Sequence, residues 1–401
     1  MKKHLVVVCG NLYPNPSPTG LCAARYASLL TDKFIIEFIA LSANGREEEA
    51  YYDGCLVHTI SSKRIALEHR CKGVLRNLIH LLGASQLKLS LMGNLGWFVD
   101  AANKKLEEIN NKKKIDAILT VCSPFQAHLA GVIFNESHPD VRFCAYTVDP
   151  YASSSRVVPF FRQYEDFVKL ERSISSRPDC LFLSEEAINV RQDLYGGLNN
   201  CVALPYLLPE AKEVEGNVFD QTHIHCVYAG SFYKDIRNPE YMLRVFSSLE
   251  DEGLILHLYS SGCDDMVRKY ADKNPRIKVH GYVSQEELQK VYVSCDILIG
   301  VGNAMNDFLP SKTYEYLSMR RPIVFFNPSG FPNLVLESYS HSLQISDDTP
   351  INKAVKELST FISTERGKSV TKEELHSIYR KNTPESVRAI LLQGLNENEN
   401  G

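Results

Sequence analysis

Residues 296–326, DILIGVGNAMNDFLPSKTYEYLSMRRPIVFF, read as a strand, a loop, a short helix and a second strand. After Asp296 the run to Val301 is continuously apolar, and the run Pro322–Phe326 is apolar and β-branched or aromatic. A strand that does not alternate with polar residues is buried on both faces, as in a parallel sheet covered by helices. Pro310 stands where the intervening helix would begin. Lys312 falls in the first turn, where the helix dipole disfavours a cation unless an anion is close. Glu315 lies about one turn further on, with Tyr314, Leu317 and Tyr316 as the packing face.

The same alternation of strand and helix runs through the whole chain. In the first half the strand candidates are HLVVVC, FIIEFIA, CLVHTI, IDAILTV, VRFCAYTV, CLFLS and CVAL; in the second they are HIHCVYAG, LILHLYS, RIKVHG, DILIGV and PIVFF. Two such series predict two doubly wound α/β domains with ligands at the carboxyl ends of the strands. The series is interrupted at residues 204–223, where two prolines, a charged segment and Gly216 precede a fresh strand. The expected organisation is a Rossmann-like domain over residues 1–205, a linker at 206–222 and a second Rossmann-like domain at 223–382. A helix at about 383–396 is expected to pack back onto the first domain.

Composition narrows the partners. A chain of 401 residues with a formal net charge of −4 lacks the strongly basic balance that phosphate-backbone binding needs, so no nucleic acid is expected. The N-terminal apolar run is too short for a secretion signal, and no stretch approaches a membrane span. A cytoplasmic protein is expected. The 11 cysteines fall largely within apolar runs, at Cys9, Cys122, Cys144, Cys180 and Cys226 among others, and read as reduced core thiols. No CxxC pair and no Cys/His cluster of zinc-finger spacing occurs, so no metal is expected. Residues 61–92 interleave leucines with Lys63, Arg64, Arg70, Lys72, Arg76 and Lys88 against a single acid, Glu68. Such a helix either lies on an anionic membrane surface or presents an ordinary solvated basic face.

Chemistry-bearing residues follow the ends of several strands. Thr19-Gly20 opens a helix after the first strand, as an anion site or as a routine loop capped by Thr19. No GxGxxG occurs there, which argues against a nicotinamide dehydrogenase. Ser123-Pro124 reads as an N-cap with Pro at the first helical position, and His128, one turn on, as a packed or solvated histidine. Asp149 ends a strand before Pro150, where it either orients a sugar hydroxyl and assists proton transfer or simply forms a turn. In the second half the strand ending at Gly230 leads to a loop with Lys234 and Arg237, and Asn238-Pro239 starts a helix. Glycine lets backbone approach a ligand, and two cations in one such loop suit a diphosphate.

The stretch LPSKTYEYLSMRRPIV, with seven residues between Asp307 and Glu315, resembles the Glu-x7-Glu region of retaining family-four glycosyltransferases of GT-B architecture, most of all bacterial capsule, exopolysaccharide and lipopolysaccharide enzymes. YAGSFYKDIRNPEYML is similar to the family's phosphate-clamp loop, and KVHGYVSQEELQKVYVSCDILI to the passage before its acidic motif. The resemblance implies two Rossmann-like domains facing a central cleft. It implies that Glu315 binds the ribose and that Asp307 contacts the donor sugar beside Phe308 and Leu309. Ser311, Lys312, Gly230, Lys234 and Arg237 would hold the nucleotide and its phosphates. Asp149 falls where many relatives carry a His, and the catalytic set implied is Asp149, Arg237 and Asp307. Thr19, Gly20 and Ser123 are acceptor-side candidates.

The departures are specific. Asp307 is one methylene shorter than the family's Glu, Pro310 removes a backbone donor, and Arg320 replaces a helix-ending Gly. The resemblance implies a metal-independent transfer of sugar from a nucleotide-diphosphate sugar to a glycan or lipid-linked acceptor. No cofactor is expected, and the expected location is cytoplasmic, or peripheral on the inner membrane face if residues 61–92 lie on it. A GT-B nucleotide-sugar epimerase and a degenerate partner protein are the alternatives.

Overall fold

The computed structural model describes residues 2–62, 95–153, 164–211, 216–251, 253–281, 283–304 and 312–397. The basic segment at 61–92 therefore lies outside the described residues beyond Ser62, and so do Asp307, Phe308, Leu309 and Ser311. The chain divides into one unit of Met1–Leu207 with Pro384–Gly401 and another of Leu208–Thr383.

The first unit is built on β1 (Lys3–Cys9), β2 (Phe34–Leu41), β3 (Glu49–Tyr52), β4 (Cys55–Ile60), β5 (Ala117–Cys122), β6 (Arg142–Thr147), β7 (Cys180–Leu183) and β8 (Cys201–Ala203). Their spatial order is β3-β4-β2-β1-β5-β6-β7-β8, parallel except for the β3–β4 hairpin. The continuous apolar strands are explained by what each face meets. Val6 and Val8 of β1 join a core with the helices Gly96–Lys112 and Gln126–Ser137. Leu5, Val7 and Cys9 of the same strand join a second core with the helices Pro18–Ser28 and Pro384–Gly394. One strand feeds two cores because successive side chains point to opposite faces.

The second unit holds β9 (Ile224–Ser231), β10 (Leu254–Ser261), β11 (Ile277–Val279), β12 (Ile297–Val301), β13 (Ile323–Asn327) and β14 (Ser342–Ser346). These lie in the order β11-β10-β9-β12-β13-β14, all parallel. The segment before β9 is packed on this unit, because Phe219 stacks on His225 with ring centroids 4.5 Å apart. The strands β3 and β14, absent from the sequence reading, both lie at sheet edges. The β3–β4 turn is Asp53-Gly54, with φ of 46° and 80°, the pair of left-handed conformers that a two-residue hairpin turn requires.

No described helix is long and apolar enough to cross a membrane. Every described cysteine is free.

Candidate functional site

Strand order selects where ligands bind in each unit. In the second unit the chain proceeds outward from β9 on one side and from β12 on the other, so the β9/β12 boundary is its topological switch point. The loops leaving β9 and β12 carry Arg237 and Asn303. Arg237 donates from Nε to Asn303 Oδ1 at 3.0 Å and from a terminal nitrogen to the Ser231 carbonyl at 3.4 Å. The Tyr233 and Arg237 backbones pair across a tight turn, and Ala304 N–H donates to the Ile236 carbonyl at 2.6 Å. The two loops are thus fastened together with the guanidinium at their junction. Lys234, on the same turn, is exposed. Gly230, at the end of β9, has φ of 153°, a conformation that disfavours any side chain.

The helix Lys312–Ser318 follows the β12 loop, and all of it but Lys312 is buried. Glu315 is 5% exposed and pairs with Lys312, Oε2 to Nζ 3.3 Å. Lys312 Nζ also donates to the Tyr292 hydroxyl at 3.0 Å. Glu315 is therefore the anion that offsets a cation in the first turn. Tyr316 holds the helix to β9: its hydroxyl accepts from Ala229 N at 3.0 Å. Two residues beyond the helix, Arg320 has φ of 58°, so the left-handed position is filled by a residue that carries a Cβ cost there. Pro239, expected at the first helical position, instead occupies the N-cap of Glu240–Ser247, and Asn238 Oδ1 accepts from Glu240 N at 2.9 Å.

In the first unit the switch point lies between β1 and β5. Thr19, after β1, donates its hydroxyl to the Ser123 carbonyl, after β5, at 3.2 Å. Two sequence readings are corrected here. The cap of the helix Pro18–Ser28 is Ser17, whose Oγ accepts from Gly20 N at 3.1 Å; this leaves Thr19 free to reach the β5 loop. Ser123 is not a cap either, because the helix starts only at Gln126 with no side-chain cap bond. Pro124 and Phe125 form a turn first, their carbonyls accepting from Ala127 N and His128 N at 3.0 and 2.9 Å.

Asp149 follows β6, the strand beside β5, and its carbonyl accepts a contact from Cys122 Sγ at 3.5 Å. Surrounding atoms desolvate its carboxyl and raise its pKa from the usual value; the residue is surface-exposed, so water limits that push. Thr19, Ser123 and Asp149 thus sit on neighbouring strand ends.

Two supporting residues were missed from sequence. Asn303 orients Arg237, and a lone loop Asn carries no pattern that would single it out. Glu171 is 0% exposed and accepts from Tyr151 N at 3.0 Å, Ala152 N at 2.7 Å and Tyr195 Oη at 3.0 Å. Burial raises its carboxyl, against these hydrogen bonds, and it fixes the turn directly after Asp149. Its signal was present: Phe167, Glu171 and Ile174 share the buried face of one helix, and an acid on such a face needs donors.

Comparison with known proteins bears on both units. Residues 223–360 match the family model described as Glycosyl transferases group 1. A sucrose-phosphate synthase from Thermosynechococcus elongatus superposes with a TM-score of 0.69 at 11% identity, covering 98% of each chain. A trehalose-6-phosphate structure from E. coli bound with UDP-2-fluoro glucose gives a TM-score of 0.64 at 12% identity, covering 98% of this chain and 99% of that one. An α,α-trehalose-phosphate synthase from Burkholderia xenovorans, in complex with glucose-6-phosphate, gives 0.63 at 10% identity, covering 98% and 100%. The chain is a glycosyltransferase with the GT-B fold. The matched segment of this glycosyltransferase contains Gly230, Lys234, Arg237, Lys312 and Glu315. At such low identity the structural likeness is one of fold. No curated protein matches the chain by sequence.

Proposed function

We propose that this glycosyltransferase moves a sugar, with retention at the anomeric carbon, from a nucleotide-diphosphate sugar to a glycan or lipid-linked acceptor in bacterial surface-polysaccharide synthesis. The observation that carries the donor side is the set at the β9/β12 switch point. There Arg237 is held by Asn303 and Ser231, and the buried Glu315 is held by Lys312, inside the segment that matches the family model. A fixed guanidinium suits a diphosphate, and a buried carboxylate suits the paired hydroxyls of a ribose.

In this reading the acceptor oxygen attacks the anomeric carbon on the face from which the phosphate leaves. The departing phosphate takes the acceptor's proton, and Arg237 with Lys234 offsets the charge that builds on the diphosphate. No metal is needed for that step. Asp307 contacts the donor sugar beside Phe308 and Leu309, and Ser311 contacts the phosphates. Asp149 bonds a hydroxyl of the reacting sugar; Thr19, Gly20 and Ser123 serve the acceptor. Among relatives, the Burkholderia xenovorans structure holds glucose-6-phosphate, so a phosphosugar is the acceptor to set against lipid-linked glycans. The segment at 61–92 is the proposed contact with an anionic membrane face.

Thermal-shift titration with UDP, GDP, ADP and CMP identifies the base, because a ligand of the folded state alone raises its stability. Glu315→Ala should weaken binding of the preferred nucleotide by about ten- to a hundredfold, the worth of hydrogen bonds to a charged group. Asp307→Ala should do much less. Equal nucleotide affinity in the unaltered chain and Glu315→Ala would remove the assignment, and binding of none of the four would favour a partner protein without catalysis.

A further inference from the structure

At the opposite end of β9 from Gly230, the sequence DQTHIH gathers three groups of a different chemistry. Asp220 Oδ1 lies 2.8 Å from His223 Nδ1, and Asp220 Oδ2 lies 3.6 Å from His225 Nε2. One ligand atom from each of the three residues falls within 4.8 Å of the other two. A tetrahedral zinc with bonds of about 2.0–2.1 Å separates its ligand atoms by roughly 3.3 Å, so these three meet one ion with shifts of up to about an ångström each. Asp220 is already set: its Oδ1 accepts from Thr222 N at 2.8 Å and His223 N at 2.9 Å.

A second observation lies behind the ligands. His225 is buried, and its Nδ1 meets His257 Nε2 at 2.9 Å; His257 Nδ1 in turn meets His280 Nε2 at 2.9 Å. Phe219 stacks on His225 with centroids 4.5 Å apart, and Tyr259 on His280 at 4.4 Å. Metal-binding imidazoles characteristically donate their other ring N–H to a fixed acceptor, most often a carboxylate, carbonyl or water, which fixes the tautomer and the ring plane; a neighbouring imidazole nitrogen takes that place here. Here His225 Nδ1–H would donate to His257 Nε2, and His257 Nδ1–H to the exposed His280; His225 Nε2 then faces Asp220, where an ion would replace its present 3.2 Å contact with the Asp220 carbonyl.

We propose that Asp220, His223 and His225 form a site for a divalent transition ion of the zinc type, which clamps residues 220–223 to the start of β9. Two imidazoles and one carboxylate suit zinc, whereas magnesium and calcium prefer shells of oxygen. The site is structural and separate from the sugar-transfer chemistry, so its test does not depend on the donor reading.

The test uses the full chain, stripped with EDTA and desalted, with Zn2+ alone titrated against a chromophoric chelator. One Zn2+ should bind per chain and raise the melting temperature, and Mg2+ should do neither. His223→Ala changes a partly exposed side chain and should weaken Zn2+ binding by at least about tenfold, with His257→Gln weakening it by about ten- to a hundredfold through the tautomer. Absence of Zn2+ binding to the unaltered chain overturns the proposal. So does an unchanged affinity in His223→Ala, which would place the ion elsewhere, or equal affinity for Mg2+.

Discussion

His128 is enclosed between two strands, with Nδ1 2.8 Å from Thr120 Oγ1 and Nε2 3.0 Å from Thr147 Oγ1. Burial pushes its pKa down to about 3, so the folded chain keeps it neutral where an unfolded chain would protonate it. The sign follows directly. Below about pH 6.5 the unfolded state binds the extra proton, and native stability falls by up to about 1.4 kcal/mol per pH unit until the folded group titrates. Glu37 has the other kind of shift: hydrogen bonds from His4 and His58 lower its carboxyl to about 2. Its contribution is present above the ordinary carboxylate value and lost as pH falls toward about 2, so the His128 effect is cleanest between pH 6.5 and 5. His257 and His280 are also lowered by burial and act in the same direction, so denaturant unfolding across that window should show a steeper loss of stability in the unaltered chain than in His128→Leu, by up to about 1.4 kcal/mol per pH unit. Parallel pH slopes for the two chains would show that His128 does not titrate on unfolding. A packed histidine was one of two readings open in the sequence. The threonines that receive it stand on two different strands, and no local pattern announces that pairing.

Between β1 and the helix Pro18–Ser28 the chain closes tightly on itself. The Asn11 carbonyl accepts from Ser17 N at 2.8 Å and from Ser17 Oγ at 3.1 Å. A Cβ on Gly20 would stand 1.9 Å from that same carbonyl oxygen. The obstacle is backbone, so the loop itself must move. Gly20→Ala should cost about 1–3 kcal/mol in denaturant unfolding, the usual range for overpacking. If the loop serves the acceptor as proposed, the change should also reduce turnover while leaving nucleotide affinity unchanged, and a fully stable, fully active Gly20→Ala chain would show that the loop opens freely. What the sequence revealed at this scale depended on burial. Central strands such as β1, β5 and β9 are covered on both faces and stand out as unbroken apolar runs, whereas β3 and β14 are short edge strands: β3 alternates exposed and half-buried residues, and β14 is half-buried apart from Ile345. The Asp53-Gly54 pair did mark β3 as one arm of a hairpin and went unread. Caps were misplaced by two residues at Thr19 and Ser123, because Ser, Thr and Pro cluster in both loops and several of them fit the same position on paper.

Across the whole molecule, two series of parallel strands were legible because each is long, apolar and separated by helices. The positions of Arg237, Lys312 and Glu315 after strand ends were legible from the order of strands and helices, while their contacts with Asn303 and Tyr292 depend on elements distant in sequence and became visible only in the fold. The last helix illustrates a third kind of relation. Pro384–Gly394 follows the second unit in sequence yet completes the first, burying Val387, Leu391, Leu392 and Leu395 against Leu5, Phe182 and Leu204. Arg142 reinforces the join by donating from Nε to the Gly394 carbonyl at 3.0 Å. The only tryptophan, Trp97, packs on the other core of that same unit and reports on it by fluorescence. Leu391 is 1% exposed, so Leu391→Ala should cost about 2–5 kcal/mol through lost burial and the cavity left behind. The Trp97-detected unfolding midpoint should fall accordingly, while stabilisation by the nucleotide proposed to bind the second unit should keep its concentration dependence. If Trp97 reports an unchanged midpoint in Leu391→Ala, the first unit folds without its returning helix, and that helix is an attachment rather than a part of the core.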